Sequence, residues 1–157
     1  MIVKATKQDA EKILEIQKQA YKREAITYNN NQIAPLIETV EQVRKDLETK
    51  VIFKAVRNDE IIGSVRGFVE NETCYVERLM VSPSHQGKGI GKKLMGSLEN
   101  YFSHCKRFDL YTGSKSVYNI RFYQSLGYKQ YKTEMIRENI NFVFLEKINE
   151  DSVEAKK

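Results

Sequence analysis

Cysteine and histidine are scarce in this chain, with two of each among 157 residues. Cys74 and Cys105 lie far apart and neither belongs to a CxxC pair, so both are expected to be reduced and buried, not bridged or metal-bound. His85 and His104 form no HxxxH or Cys/His cluster, which argues against a metal site. Proline occurs twice, at Pro35 and Pro83, each where an element should begin or end. No apolar run approaches the roughly 18 residues that a membrane span requires. The first twelve residues alternate apolar and polar and lack the apolar core of a signal peptide. The expectation is a cytoplasmic protein with no membrane partner.

What is present is an ordinary globular mixture, 41% hydrophobic and 30% charged. The length suits one domain, expected over residues 1–148, with a frayed tail over 149–157. The formal net charge is +5, but the basic residues are scattered apart from Lys92–Lys93 and Lys156–Lys157. With no concentrated basic stripe and no stacking-aromatic motif, a nucleic-acid partner is not expected.

Periodicity predicts the elements in order. A strand Ile2–Ala5 leads to a helix capped by Thr6 and Asp9, with Ala10, Ile13, Leu14, Gln17, Ala20 and Tyr21 at helical spacing. Thr27–Pro35, with three consecutive asparagines, reads as a loop. A second helix opens at Thr39 with help from Gln42 and carries Val40, Val43 and Leu47 on one face. Strands Val51–Arg57, Ile61–Glu70 and Thr73–Ser82 follow, separated by the tight turns Asn58-Asp59 and Asn71-Glu72, which favour antiparallel pairing. Ile90, Leu94, Leu98, Phe102 and Cys105 mark a third helix. A strand Phe108–Thr112, a short helix Ser116–Leu126 stopped by Gly127, and strands Tyr128–Ile136 and Asn141–Ile148 complete the chain. This order predicts an α/β (mixed α+β) fold: one mixed sheet of about seven strands, mostly antiparallel, with helices on both faces.

One segment carries chemistry. Leu79 to Met95 reads strand, glycine-rich turn, helix. The first turn of a helix presents backbone N–H groups without intrahelical acceptors and the positive end of the macrodipole, so it accepts phosphate readily. Gly87, Gly89 and Gly91 remove side chains that would hold an anion away and permit positive φ, and Lys88, Lys92 and Lys93 add positive charge. A Walker loop is excluded: Gly91-Lys92 is followed by Lys93, and the position five before Gly91 is Gln86. The dinucleotide fingerprint is excluded as well, because its third glycine would fall on Lys92 or Leu94. A plain turn capping a helix is the competing reading, although three alternating glycines are costly at a helix start without a ligand.

The pattern Gln86-x-x-Gly89-x-Gly91, preceded by Val81-x-Pro83, resembles the acetyl-CoA motif of the GNAT superfamily of acetyltransferases. A second stretch, Tyr111-Thr112-Gly113 followed by Asn119 through Tyr128, resembles that family's downstream FYxxLGY motif. The resemblance implies the GNAT fold and an N-acetyltransferase that moves acetyl from acetyl-CoA to a primary amine of a small molecule or peptide, by direct attack in a ternary complex. It also implies that Leu79, Met80 and Val81 line the pantetheine arm, that Gln86, Gly87, Lys88, Gly89, Ile90, Gly91 and Lys92 hold the pyrophosphate, and that Asn119 bonds the pantetheine, against the alternative of capping its helix. Tyr123 matches the usual general acid, against the alternative of core packing. Glu77 sits where some members carry a base, against the alternative of an ordinary ion pair. Barring a bulge, strand alternation places Glu77 on the side of Leu79 and Val81, with Arg78 opposite. Neither cysteine has a neighbour to lower its pKa, so no acyl-enzyme is expected. A longer acyl-CoA donor, a catalytically inactive CoA sensor and a homodimer all stay open. The acceptor is not legible, although Tyr21, Tyr28, Asn29–Asn31 and Glu70 fall where it should bind.

Overall fold

In a computed structural model, residues 1–137 and 140–150 are described. Seven strands form one sheet in the order β1-β2-β3-β4-β5-β7-β6. They are β1 (Ile2–Lys4), β2 (Val51–Arg57), β3 (Glu60–Glu70), β4 (Thr73–Val81), β5 (Arg107–Gly113), β6 (Lys129–Arg137) and β7 (Ile140–Ile148). The helices are α1 (Ala10–Ala20), α2 (Lys22–Thr27), α3 (Ala34–Ile37), α4 (Val40–Thr49), α5 (Ile90–Tyr101) and α6 (Val117–Ser125). The pairs β1–β2, β2–β3, β5–β7 and β6–β7 are antiparallel, and Thr73–Tyr75 of β4 run parallel to Arg107–Asp109 of β5. The chain forms two compact units, one of Met1–Phe68 with Glu77–Tyr101, the other of Val69–Val76 with the residues from Phe102 onward.

In the first unit, the local signals act as read. Thr39 and Gln42 exchange bonds at the start of α4, the Thr39 N–H donating to Gln42 Oε1 at 2.8 Å and the Gln42 N–H to Thr39 Oγ1 at 3.2 Å. The apolar faces of α1 and α4 meet Ile52 and Met80 in a core with Ala10, Ile13, Ile16 and Val43, while Leu14, Tyr21, Val40 and Leu47 pack around it. Full burial of a side chain such as Ile13 or Ile16 contributes about 1.5–3 kcal/mol. Phe53, the neighbour of Ile52 on β2, points the other way and meets the Tyr101 ring of α5 at 5.7 Å. Successive residues of one strand thus serve helices on its two faces. On β3, Gly63 lets α5 come close: a Cβ there would lie 2.8 Å from the Met80 carbonyl and 3.1 Å from Leu94.

Two short helices flank the expected loop Thr27–Pro35 and overlap its two ends, where no helix was read. α2 carries the first helix on to Thr27, and α3 occupies Ala34–Ile37 with Pro35 in its first turn. α5 ends at Tyr101, three or four residues before the predicted stop, although Phe102 and Cys105 are buried as their spacing suggested.

In the second unit, Phe108, Leu110, Val143 and Leu145 alternate into a buried layer. The last strand, β7, lies between β5 and β6. Asn149, placed in the expected tail, is anchored instead: its side-chain amide donates to the carbonyls of Ser103 (2.8 Å) and Cys105 (2.7 Å). The remainder of that tail, 151–157, lies outside the described residues.

Candidate functional site

The glycine loop is open. Gln86 to Gly89 are exposed, Ile90 and Gly91 half-buried, and Lys92 and Lys93 exposed. Positive φ occurs at Gly87 (+78°) and Gly89 (+82°), and a Cβ built at either meets no atom within 4 Å. Gly91 does not use positive φ; it lies in the first turn of α5, so there the missing side chain is the only property that matters. The Lys93 N–H donates to the Gly89 carbonyl at 3.1 Å, closing the first helical ring. The N–H groups of Ile90, Gly91 and Lys92 precede that ring and have no acceptor within the helix. Lys88, Lys92 and Lys93 have no ion-pair partner among the described residues. Backbone donors and a helix dipole therefore meet at an exposed loop that carries three lysines, which suits a pyrophosphate.

Gln86 has a different task from its neighbours. Its Nε2 donates to the Val81 carbonyl at 3.1 Å and so ties the loop back to the end of β4. Tyr21 donates its hydroxyl to the Leu79 carbonyl at 3.4 Å. Leu79 and Val81 are half-buried, but the Met80 side chain is only 4% exposed and belongs to the core under α1 and α4. Met80 therefore offers a ligand its backbone and not its side chain.

At Arg78 the regular alternation of β4 fails. Its φ is +52°, a left-handed value unusual for a long side chain and strained within a strand. Glu77 Oε1 accepts from Lys50 Nζ at 2.7 Å, and Lys50 also lies 3.4 Å from Asp46. Arg78 Nε lies 3.8 Å from Glu38. Asp46 and Glu38 both bind one guanidinium, that of Arg66. Adjacent residues of β4 thus reach the same charged cluster, and the expectation that Arg78 points away from Glu77 is corrected. The ion pair with Lys50 is the alternative that the sequence had left open for Glu77.

Arg66 organises this cluster and was missed in the sequence. It is 1% exposed. Nη1 donates to Glu38 Oε2 (3.1 Å) and Asp46 Oδ2 (2.8 Å), while Nη2 donates to Gln17 Oε1 (2.7 Å) and Glu38 Oε1 (3.0 Å). Gln17, read as one more residue of the α1 face, in turn donates to Glu38 and to the Pro35 carbonyl. Burial works to raise the pKa of Glu38, but hydrogen bonds from Arg66 and Gln17 and the charges of Arg66 and Arg78 outweigh it and hold the carboxyl below its usual range. The available signal was an arginine inside the otherwise apolar run of β3.

In the second unit, α6 ends in a Schellman turn. The Tyr128 N–H donates to the Tyr123 carbonyl (3.1 Å), the Gly127 N–H to the Gln124 carbonyl (3.0 Å), and Gly127 has φ +97°. The same turn sets the Tyr128 ring edge-on to Tyr123 at 6.0 Å, and Phe122 flanks it at 5.3 Å. Tyr123 is half-buried, with its backbone and ring both located by this stop signal. Asn119 is not the helix cap: Ser116 holds that place, and Asn119 Nδ2 donates to Thr112 Oγ1 on β5 at 3.4 Å. Cys74 and Cys105 are both buried and neither is in a disulfide. Burial, reinforced by the charge of Glu72, pushes the Cys105 thiol pKa up, away from nucleophile chemistry.

Among known proteins, the spermine/spermidine N(1)-acetyltransferase of Bacillus subtilis (strain 168) is 30% identical over 63 residues, 38% of this chain and 41% of that protein. The match thus spans about two-fifths of the curated relative's length. The ribosomal-protein-S18-alanine N-acetyltransferase of Escherichia coli shares the fold with a TM-score of 0.78 at 14% identity, covering 94% of this chain and 92% of that one. The PaiA N-acetyltransferase of Thermoplasma acidophilum, solved in complex with coenzyme A, gives 0.76 at 19% identity, with coverage of 94% and 98%. Residues 17–148 match the family described as acetyltransferase (GNAT) domain, and with most of its length in that match the chain belongs to the GNAT acetyltransferase family.

Proposed function

We propose that this protein is an acetyl-CoA-dependent N-acetyltransferase acting in the cytoplasm on a primary amine of a small molecule or peptide. The observation that carries this reading is the exposed start of α5, with amides that have no acceptor within the helix, two positive-φ glycines, and three lysines without an ion-pair partner among the described residues. The named activities of the Bacillus subtilis and Escherichia coli relatives support it, since both end on amines. Gly87, Lys88, Gly89, Ile90, Gly91 and Lys92 would hold the pyrophosphate, with Gln86 fixing the loop. The backbone of Leu79, Met80 and Val81, together with Asn119, would hold the pantetheine arm.

When bound, acetyl-CoA supplies an acetyl group activated as a thioester. An ammonium cannot attack, so a base must first take its proton; Glu77 would do so only once released from Lys50, from which it accepts at 2.7 Å. The departing sulfur needs a proton in return, which the Tyr123 phenol donates. No cysteine takes part, and transfer is direct.

The test is calorimetry with acetyl-CoA, followed by thiol release measured over spermidine, peptides with N-terminal alanine, and free amino acids. Saturable uptake and amine-dependent release are expected. An absence of acetyl-CoA uptake would overturn the assignment.

A further inference from the structure

Six charged groups of the first unit meet around β4, and five of them are well paired. Glu77 has Lys50, Asp46 has Lys50 and Arg66, and Glu38 has Arg66. Arg66 also has a buried Nε without a partner but donates from both Nη groups, whereas Arg78 has only the distant Glu38 among the described residues. The Arg78 side chain is 18% exposed, and its buried Nε has no hydrogen-bond partner. The carboxylate within 4 Å of it among the described residues, Glu38 at 3.8 Å, lies beyond hydrogen-bond reach. That carboxylate already receives Gln17 and Arg66 on Oε1 and Arg66 again on Oε2. A guanidinium largely withdrawn from water yet underpaired is costly unless something else meets it. The backbone that projects it is itself strained, with φ +52° in the middle of a strand. Two unfavourable features at one residue, beside the residue assigned as base, point to a task that neither packing nor the internal ion pairs account for.

We infer that Arg78 binds a carboxylate of the acceptor, so that the substrate is an amine bearing a nearby acid group, such as an α-amino acid, and not a polyamine. This rests on the acetyl-transfer reading above and names its acceptor class. The planar fork of arginine matches a carboxylate with two parallel hydrogen bonds. Glu77 and Arg78 are consecutive, and the left-handed turn at Arg78 sends both side chains to one cluster. An adjacent acid and base of this kind suit the ammonium and carboxylate of one small zwitterion. A polycation would instead meet the underpaired positive charge.

The experiment compares kcat/KM for methionine with methioninamide, and for leucine with leucinamide, with spermidine as an acceptor that has no carboxylate. The amide's amine is the weaker base, so more of it is neutral, and a preference for the acid is a conservative result. The wild-type protein is expected to favour the acids by about 10- to 100-fold, the range of one charge-assisted bidentate contact. In Arg78→Gln that ratio should fall toward one, with the loss in KM. Arg78→Lys, which keeps the charge without the fork, should fall between. A melt of each variant establishes that it is folded.

Equal or better turnover of the amides or of spermidine by the wild type overturns the inference while leaving the acetyltransferase intact. So does an unchanged ratio in folded Arg78→Gln, or acetyl-CoA uptake with no acid-bearing amine acetylated. A wild-type protein that takes up no acetyl-CoA removes the parent reading and this one with it.

Discussion

Replacing Gly89 separates the folding role of the loop from its binding role. A Cβ at Gly89 meets no atom of the protein, but φ is +82°. An L-residue held in the left-handed region costs roughly 1–2 kcal/mol. At about 2–4 °C per kcal/mol for a chain of this size, Gly89→Ala should lower Tm by about 2–8 °C. Gly89→Glu carries the same backbone cost, but a carboxylate beside the start of α5 recovers about 0.3–1 kcal/mol from the helix dipole. Without ligand, the glutamate variant should therefore be as stable as the alanine variant or slightly more so. For acetyl-CoA the order reverses. Alanine intrudes a methyl group where a phosphate oxygen would approach. Loss of one hydrogen bond to a charged group is worth about 1.5–3 kcal/mol, so affinity should fall roughly 10- to 150-fold. Glutamate adds like-charge repulsion, and binding should disappear from calorimetry. Wild-type affinity in a folded Gly89→Glu protein would refute the assignment of the loop. A glutamate variant much less stable than the alanine variant would refute the claim that the amides of α5 are unengaged.

Further expectations follow from the same geometry. Tyr123→Phe should lower kcat by about 10²- to 10⁴-fold with acetyl-CoA affinity retained, since the Schellman turn and the Tyr128 ring contact do not need the hydroxyl; undiminished turnover would reject Tyr123 as the acid. Arg66→Met should destabilise the fold by about 3–5 kcal/mol, measured by denaturant titration, because Glu38 and Asp46 would be left near β3 without their main partner; a loss under about 1 kcal/mol would show that the cluster is solvated. Glu38 and Asp9 both have pKa values below their ordinary 4.5 and 3.8, Asp9 through the Thr6 amide and Lys54, which outweigh its burial. A depressed folded-state pKa contributes stability above the unfolded value and loses it as pH falls through the folded value. Tm should therefore drop from about pH 4.5 downward, and the drop should be shallower in Glu38→Gln; equal slopes would show that Glu38 is not among the groups responsible.

What was legible in the sequence was what neighbouring residues accomplish together. The Thr39–Gln42 cap, the two-residue turns at Asn58 and Asn71, the Gly127 stop and the loop Gln86–Gly91 are each built from a few consecutive residues, and each was read from them. α2 and α3 escaped because six and four residues are too short to show a helical period, and Ile26 on α2 is 80% exposed, so burial imposes no pattern there. The Arg66 cluster escaped for a different reason. Its members come from α1, the α3–α4 junction, α4, β3 and β4, and no spacing rule joins Gln17, Glu38, Asp46, Arg66 and Arg78. Arg78 is the most informative failure. Strict alternation sent it away from Glu77, and one left-handed residue reversed that placement, as a one-residue slip reverses a whole strand face. A phosphate can be gripped by contiguous backbone, so the donor half of the chemistry is written locally. An acceptor must be told apart from other amines by side chains gathered from remote segments, and residues as distant in sequence as Gln17, Glu38, Asp46, Arg66 and Arg78 come together only once the chain has folded.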